Sequence, residues 1–358
     1  MSMSPHIRRR TFIAGAAGAL ATPLILGRRA SADERSITVG IYTGQQGDVV
    51  RKQIIPPFEA KHGCRVYTTQ GVTLEQIALM RTSRNNPKYS VMFVDDIGVE
   101  LAKREDLIEE LPSEQIPSMA KVLPRFIYYG GYGAAFAMSA AGLAYNTQTG
   151  KPLQSYGDLW DPKFKARFLM ETPKATQSIY LLIAAVSVAT GKPYAETQHM
   201  IDQAWPKMEA LKPNVLSIFD NQSIAIQVAQ GQADLAGIFY SKSVYPYTIQ
   251  GAPVDMCYPR EGTFAGINTV TLVKNCPERE LAIAFIDWML SPDIQQLLAE
   301  QTLTAPSLGG LSFKPDVEKY MAYPEAKMGE MGIFSPDWTL INPMRSQLIE
   351  KYNEVFGA

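Results

Sequence analysis

The chain has 358 residues, of which 46% are apolar and 19% charged, with 34 Lys and Arg against 35 Asp and Glu. That balance and the lack of long basic runs exclude nucleic acid and anionic membrane surfaces as partners, which demand clustered Lys and Arg, and the apolar content excludes a disordered chain. Cys64, Cys257 and Cys276 stand far apart without a CxxC or metal-ligand pattern, so neither a stapled nor a zinc-dependent fold is indicated.

The first element is an export signal. "RRRTFIAGAAGALATPLILGRRASA" places three arginines before an apolar run from Phe12 to Leu26 and ends in Ala30-Ser31-Ala32, the small-x-small pattern of a signal peptidase site. The run is shorter than the roughly 20 apolar residues of a membrane-spanning helix, so the reading is a segment cleaved after Ala32 rather than an anchor. Arg9-Arg10 with Thr11-Phe12-Ile13 resembles the twin-arginine motif; an ordinary secretory signal that carries three arginines is the alternative. Both routes lead to the periplasm. Cleavage removes five arginines and no acids, leaving a mildly acidic chain of 29 basic and 35 acidic residues. Roughly 326 residues remain, beyond the size at which a single core keeps growing, so two lobes are expected. In an oxidising compartment Cys257 and Cys276 either pair or stay, with Cys64, as buried reduced thiols. Only His62 and His199 survive processing, which leaves little for a His-based metal or catalytic site.

Downstream, "SITVGIYTG" reads as a first strand emptying into a loop, and "DVVRKQIIPPFEAKHG" as a helix ended by Gly63. Cys64 to Thr68 is a second strand, and "TLEQIALMRTSR" a helix with Thr73 as its cap and Gln76 three residues on. "YSVMFVDD" is a near-continuous apolar run stopped by Asp95-Asp96, the pattern of a central parallel strand; "GVELAKREDLIEEL" is the helix after it. The second half continues with strand "ARFLMETP", the apolar helix "TQSIYLLIAAVSVATG" and the amphipathic helix "AETQHMIDQAWPKMEALKP". "NQSIAIQVAQGQADLAGIFYS" gives a helix stopped near Gly231 and a strand from Ala233 to Phe239, and "GINTVTLVKN" another strand. "PERELAIAFIDWMLSPDIQQLLAEQ" gives two helical stretches split by Pro292, and helices are predicted in "DVEKYMAYPEAKMGEMG" and "NPMRSQLIEKYNEVF". Alternating strands and helices predict an α/β fold with a parallel layer, whose loops at the carboxyl ends of the strands gather where small ligands bind.

Four segments carry a family resemblance: "GLAYNTQTGKPLQSYGDLWDPKFKARFLM", "GQADLAGIFYS", "GAPVDMCYPREGTFAGINTVTLVKNCPERELAIAFIDWMLSPDIQQLLAE" and "TAPS". Together they resemble the periplasmic solute-binding proteins of ABC importers, in the spermidine/putrescine-like group of the type 2 fold. The resemblance implies a two-lobed α/β molecule with a ligand cleft between the lobes. It divides the chain into a signal (1–32), a discontinuous first lobe (33–141 and 269–308), a second lobe (142–268) and C-terminal helices packing over both (309–358). It also implies a small-molecule solute, a membrane permease as partner, a monomer, no cofactor and no covalent chemistry.

In that family the ligand is gripped by loops at the strand ends. Here those loops carry Thr43, Gly44, Gln45 and Gln46, then Asp95 and Asp96, then Thr176 and Gln177 after Glu171, then Tyr240 and Asn268. Each of these residue types also sits at turns for purely structural reasons. Tyr240 holds the position at which polyamine binders carry an aromatic that packs on the methylene chain beside a cation, and Tyr128, Tyr129 and Tyr132 add aromatic surface near the crossing. A desolvated cation needs a paired charge, and this chain has Asn268 and Thr176/Gln177 where polyamine binders place carboxylates. Asp95, Asp96, Glu171 or Asp220 could supply one carboxylate, which predicts a small polar solute that is amine-bearing, while the amides and Tyr hydroxyls equally suit a carboxylated one. A ferric-iron protein, using Tyr240, Tyr245 and Tyr247, is the alternative. A twin-arginine-exported enzyme is a second, opposed by the lack of a nucleophile motif, a Cys/His pairing or a metal cluster.

Overall fold

The computed structural model describes residues 35–219 and 223–357. The export segment and Asp220 lie outside the described residues. Twelve strands form one sheet: β1 Ser36–Ile41, β2 Arg65–Gln70, β3 Val91–Asp95, β4 Ile108–Glu109, β5 Ile127–Tyr128, β6 Gly133–Asn146, β7 Phe168–Glu171, β8 Val215–Phe219, β9 Leu235–Tyr240, β10 Val254–Cys257, β11 Thr263–Val273 and β12 Ile333–Phe334. The main path runs β2-β1-β3-β11-β6-β9-β7-β8, with β10 and β5 on β6 and β12 and β4 on β11.

The two ends of this path are parallel layers, β2-β1-β3 and β9-β7-β8, as strand–helix alternation predicts. Between them lie β6 and β11, long and antiparallel, and each belongs to both halves. β11 pairs β3 through Asn268–Leu272 and β6 from Phe264 to Val270, while β6 continues to pair β9 through Ala141–Tyr145. Both strands shift register on the way, β11 between Asn268 and Thr269 against β6, and β6 between Gly142 and Leu143 against β9. Cores divide accordingly. One collects apolar side chains from 37–140 and 265–328, and the other two collect 141–264 with the C-terminal residues 338–355, apart from Ile97 and Leu303. The result is two lobes joined by crossing strands.

Local chemistry explains most element ends. Val91 to Val94 have no exposed surface, because β3 is covered on both faces, and that is why its sequence runs apolar without alternation. Gly63 and Gly191 close their helices with φ of 58° and 71°, the left-handed conformation that glycine takes without cost.

Several helices differ from expectation. The first is not uniform: Gly44–Val49 and Ile55–His62 are α-helical, with a π-helical turn at Val50–Ile54 between them. The helix after β3 spans only Asp96–Arg104; Asp106 takes φ of 58°, and Ile108 turns extended to pair Val273 and bury its side chain. The stretch from Tyr194 to Leu211 breaks into Tyr194–Thr197, a 3-10 turn Ile201–Ala204 and Trp205–Leu211. Pro206 has no N–H to donate and fits only in a first turn, so a helix must start there.

Thr73 is not a cap either. Val72 is the N-cap, and its N–H is accepted by Glu75 Oε2 at 3.0 Å. The Thr73 hydroxyl instead accepts from the Asp95 N–H at 3.0 Å, and the Gln76 amide donates to the Ile41 carbonyl at 3.0 Å. Both residues tie the ends of β1 and β3 together, where the loops of the first lobe begin.

The tail crosses between the lobes. "DVEKYMAYPEAKMGEMG" forms two short helices, Pro315–Glu318 and Glu325–Glu330, and the last helix is Arg345–Phe356. Trp338, Ile341, Leu348, Tyr352 and Val355 insert into the second-lobe core, while Asn342 Nδ2 donates to the Ile97 carbonyl of the first lobe at 3.1 Å. Cys64, Cys257 and Cys276 are buried free thiols, and burial pushes the Cys257 thiol up to about 12, which leaves it unreactive.

Candidate ligand-binding site

The carboxyl ends of β1, β3 and β9 meet β11 where the lobes come together, and Asp95 is the centre of that meeting. It is the last residue of β3 and the backbone partner of Asn268 on β11. Its Oδ1 accepts from the Tyr42 hydroxyl at 2.9 Å and from Asn268 Nδ2 at 3.2 Å. Burial raises the Asp95 carboxyl above its ordinary value, and the ammonium of Lys242 with the Tyr42, Thr73 and Asn268 bonds pulls it back.

Lys242 reaches this point from the other lobe. It stands in the first turn of the helix Ser241–Ile249, two residues past the end of β9, and its Nζ donates to Asn268 Oδ1 at 2.9 Å and to Gln46 Oε1 at 3.3 Å. The rings of Tyr42 and Tyr240 flank the same ammonium, with centroids 5.7 and 5.9 Å away. The arrangement is a cage for a cation: one carboxylate, two amide oxygens and two aromatic faces. Burial pulls the Lys242 ammonium down to about 8, against the favourable field of Asp95.

Tyr240 owes its place to a glycine on the crossing strand. Its ring lies against Gly266, where an added Cβ would stand 2.4 Å from Tyr240 Cε1. Only a bare backbone admits the ring there. Behind it the Tyr180 hydroxyl donates to the Ala265 carbonyl at 2.8 Å, and burial raises both tyrosines well above the usual phenol range.

A second cation comes from the tail. Arg345 begins the last helix and donates through Nη2 to the Lys174 carbonyl at 2.6 Å, in the loop between β7 and the helix Thr176–Thr190. Its Nε and Nη1 are buried without an acceptor, as is Gln46 Nε2. Burial weakens its hold on the proton, and Asp95, Tyr240 and Tyr180 oppose that shift, which puts the guanidinium in the same electrostatic neighbourhood as the cage.

The structure therefore brings Gln46, Asp95, Tyr240 and Asn268 together. Thr176 and Gln177 are buried in the first turn of their helix, next to the loop that Arg345 holds. Thr43 is an exposed N-cap, and Gln45 turns away to bond the Gln301 carbonyl at 2.7 Å. Asp96 is engaged elsewhere: Oδ2 accepts from Ser335 of the tail at 2.6 Å and Oδ1 from the Ile97 N–H at 3.0 Å. Burial pushes its carboxyl up to about 7. The tyrosines of the iron alternative do not converge, because Tyr245 shares its hydroxyl with Tyr258 at 3.0 Å and packs in a separate core from Tyr240. Sequence reasoning missed Tyr42, Lys242 and Arg345. Tyr42 and Lys242 flank loops already singled out, so strand-end position could have found them; nothing local marks Arg345, which arrives from the far end of the chain.

The family model described as bacterial extracellular solute-binding protein matches residues 53–325, about three quarters of the chain. The chain belongs to that family. This binding protein is 26% identical over 262 residues to the spermidine/putrescine-binding periplasmic protein 1 of Haemophilus influenzae, covering 71% of this chain and 70% of the relative. It is 22% identical over 354 residues to the spermidine/putrescine-binding periplasmic protein of Escherichia coli, covering 96% and 97%. An ABC transporter crystal structure from Clostridium perfringens superposes with a TM-score of 0.75 at 20% identity, covering 89% of this chain and 99% of that one. The binding protein thus has the two-lobed periplasmic binding fold and acts as the solute-binding component of an ABC transporter, with a small molecule and a membrane permease as its partners.

Proposed function

We propose that this protein captures a small amine-bearing polar solute between its lobes, with the solute's ammonium taking the place that the Lys242 ammonium holds. The observation that carries this reading is the cage itself: Asp95, the Asn268 and Gln46 oxygens and the faces of Tyr42 and Tyr240 surround an ammonium of the chain's own. Two ammoniums at one carboxylate repel, so a solute cation enters as Lys242 withdraws or loses its proton. The relatives named for spermidine and putrescine support an amine; a single cage carboxylate supports a monoamine over a polyamine. Gln46, Asp95, Tyr240 and Asn268 hold the solute, with Thr176 and Gln177 at its margin.

Binding needs no covalent chemistry. Contacts to both lobes make solute capture and lobe closure one equilibrium, and the permease reads the closed form. The reading places a monomer in the periplasm, cut after Ala32, with the lobes divided near residues 141 and 268. Calorimetry of the mature chain against amines, sugars and dicarboxylates tests it. Amines should bind and Asp95→Asn should weaken them at least thirtyfold, since a buried charge loses its partner at a cost of about 2 kcal/mol or more. Amine affinity equal in wild type and Asp95→Asn would remove the cage from the site.

A further inference from the structure

We infer that the solute also carries an anionic oxygen group, a carboxylate or a phosphate, and that Arg345 receives it, so that the cleft selects a zwitterion rather than a plain amine. The inference rests on the amine-bearing reading for one half of the solute and on separate atoms for the other.

Among the described residues, Arg345 Nε, Arg345 Nη1 and Gln46 Nε2 are buried donor nitrogens without an acceptor. A buried donor without an acceptor is costly, and a guanidinium most of all, because its charge needs a counter-charge or well-placed oxygens. Among the described residues, Arg345 makes one hydrogen bond, from Nη2 to the Lys174 carbonyl. The field of Asp95 acts on it, but that carboxylate is already engaged by Tyr42 and Asn268 and faces the Lys242 ammonium. The missing partner is an acceptor with negative charge, and guanidinium donors match carboxylate and phosphate oxygens in geometry and in charge. Arg345 is fastened beside the first turn that carries Thr176 and Gln177, and Gln46 of the cage shares its lack of an acceptor, so the inferred solute places its ammonium in the cage and its anionic group toward these donors.

The position of Arg345 gives the contact a second effect. The residue belongs to the tail helix yet is fastened to the loop of the second lobe, and the tail also bonds Asp96 and Ile97 of the first. A solute anion on Arg345 therefore links the tail to closure.

The test is calorimetry on wild type, Arg345→Gln and Arg345→Lys with butylamine, putrescine, γ-aminobutyrate, phosphoethanolamine and succinate. The zwitterions should bind wild type at least tenfold tighter than butylamine or putrescine, Arg345→Gln should erase that preference, and Arg345→Lys should restore part of it. γ-Aminobutyrate against phosphoethanolamine tells carboxylate from phosphate. Thermal unfolding of each variant, with butylamine as the reference probe, separates lost folding from lost selectivity. Binding of succinate that depends on Arg345, with no amine bound, would sink the amine reading and the zwitterion with it, and keep only Arg345 as the receiver of the anion. Equal binding of putrescine and γ-aminobutyrate, or a preference that survives in Arg345→Gln, would overturn the inference and leave Arg345 as a structural clip.

Discussion

At Asp95 burial raises the carboxyl above its ordinary value, four groups oppose that shift, and one of them, Lys242, is itself held at a cost. The Lys242 value in the folded chain, about 8, lies below its ordinary 10.5, so between those limits the unfolded chain binds the extra proton. Stability should therefore rise as pH climbs through that window. The groups facing this lysine are Asp95, Gln46, Asn268, Tyr42 and Tyr240; burial raises both tyrosines well above the usual phenol range, and Lys242→Met should flatten the slope. Asp96 has the opposite sign. Its folded value is raised from 3.8 to about 7, so the folded chain keeps a proton that the unfolded chain loses, and stability falls as pH rises across that range. Urea melts of wild type and Asp96→Asn at pH 4 to 7 check this; equal slopes would show that Asp96 stays ionised with Ser335 as sufficient partner.

At the scale of the element, the crossing strands determine what the site can be. Gly266→Ala would drive a Cβ into the Tyr240 ring, and the variant should lose at least about tenfold in amine affinity, roughly 1.4 kcal/mol, while its far-UV spectrum stays unchanged. Full affinity would mean the ring is not part of the grip. On the same strand Phe264 is stacked between Tyr180, at 4.6 Å, and Tyr194, at 4.5 Å. Phe264→Ala should cost about 3–5 kcal/mol in urea unfolding, and a loss under about 1 kcal/mol would show that this aromatic stack does not hold the second-lobe core together.

The same strands explain which elements were legible. β1, β3 and β11 are rich in Val, Ile, Thr and Phe and read as strands at once. β6 is built mainly from Ala, Gly and Ser and lies between β11 and β9, so it shows neither alternation nor a branched run, and the sequence marks no strand there. The helix Asp96–Arg104 was read from Gly98, two residues after its observed start, because Asp95-Asp96 looked like the stop of the strand. Its end was not visible, because only pairing with β11 makes Ile108 extended. Thr73 looked like a cap by local spacing, and a distant N–H at Asp95 claimed its hydroxyl.

For the whole molecule, two lobes on continuous crossing strands give a hinge with a site at its axis. Register shifts at Asn268/Thr269 and at Gly142/Leu143 put local bends where those strands pass from lobe to lobe. Asn268 thus stands both in the cage and at a register shift of a crossing strand. The strand-end loops were legible in the sequence, and the structure brings Gln46, Asp95, Tyr240 and Asn268 of those loops together in the cage we propose as the site. It could not show that Gln45 faces the helix Pro292–Thr302 instead, or that Lys242 and Arg345 bring two positive charges into the cleft from the second lobe and the tail. Those depend on closure of the fold over more than a hundred residues of chain.

The most direct measurement is a calorimetric titration of wild type and Lys242→Met with the same amine at neutral pH. If the lysine ammonium holds the solute's own place, removing it frees the cage and affinity should rise about tenfold or more, a gain of roughly 1.4 kcal/mol. An affinity that falls in Lys242→Met would contradict this, because it would make Lys242 a contact to the solute and not the occupant the solute replaces.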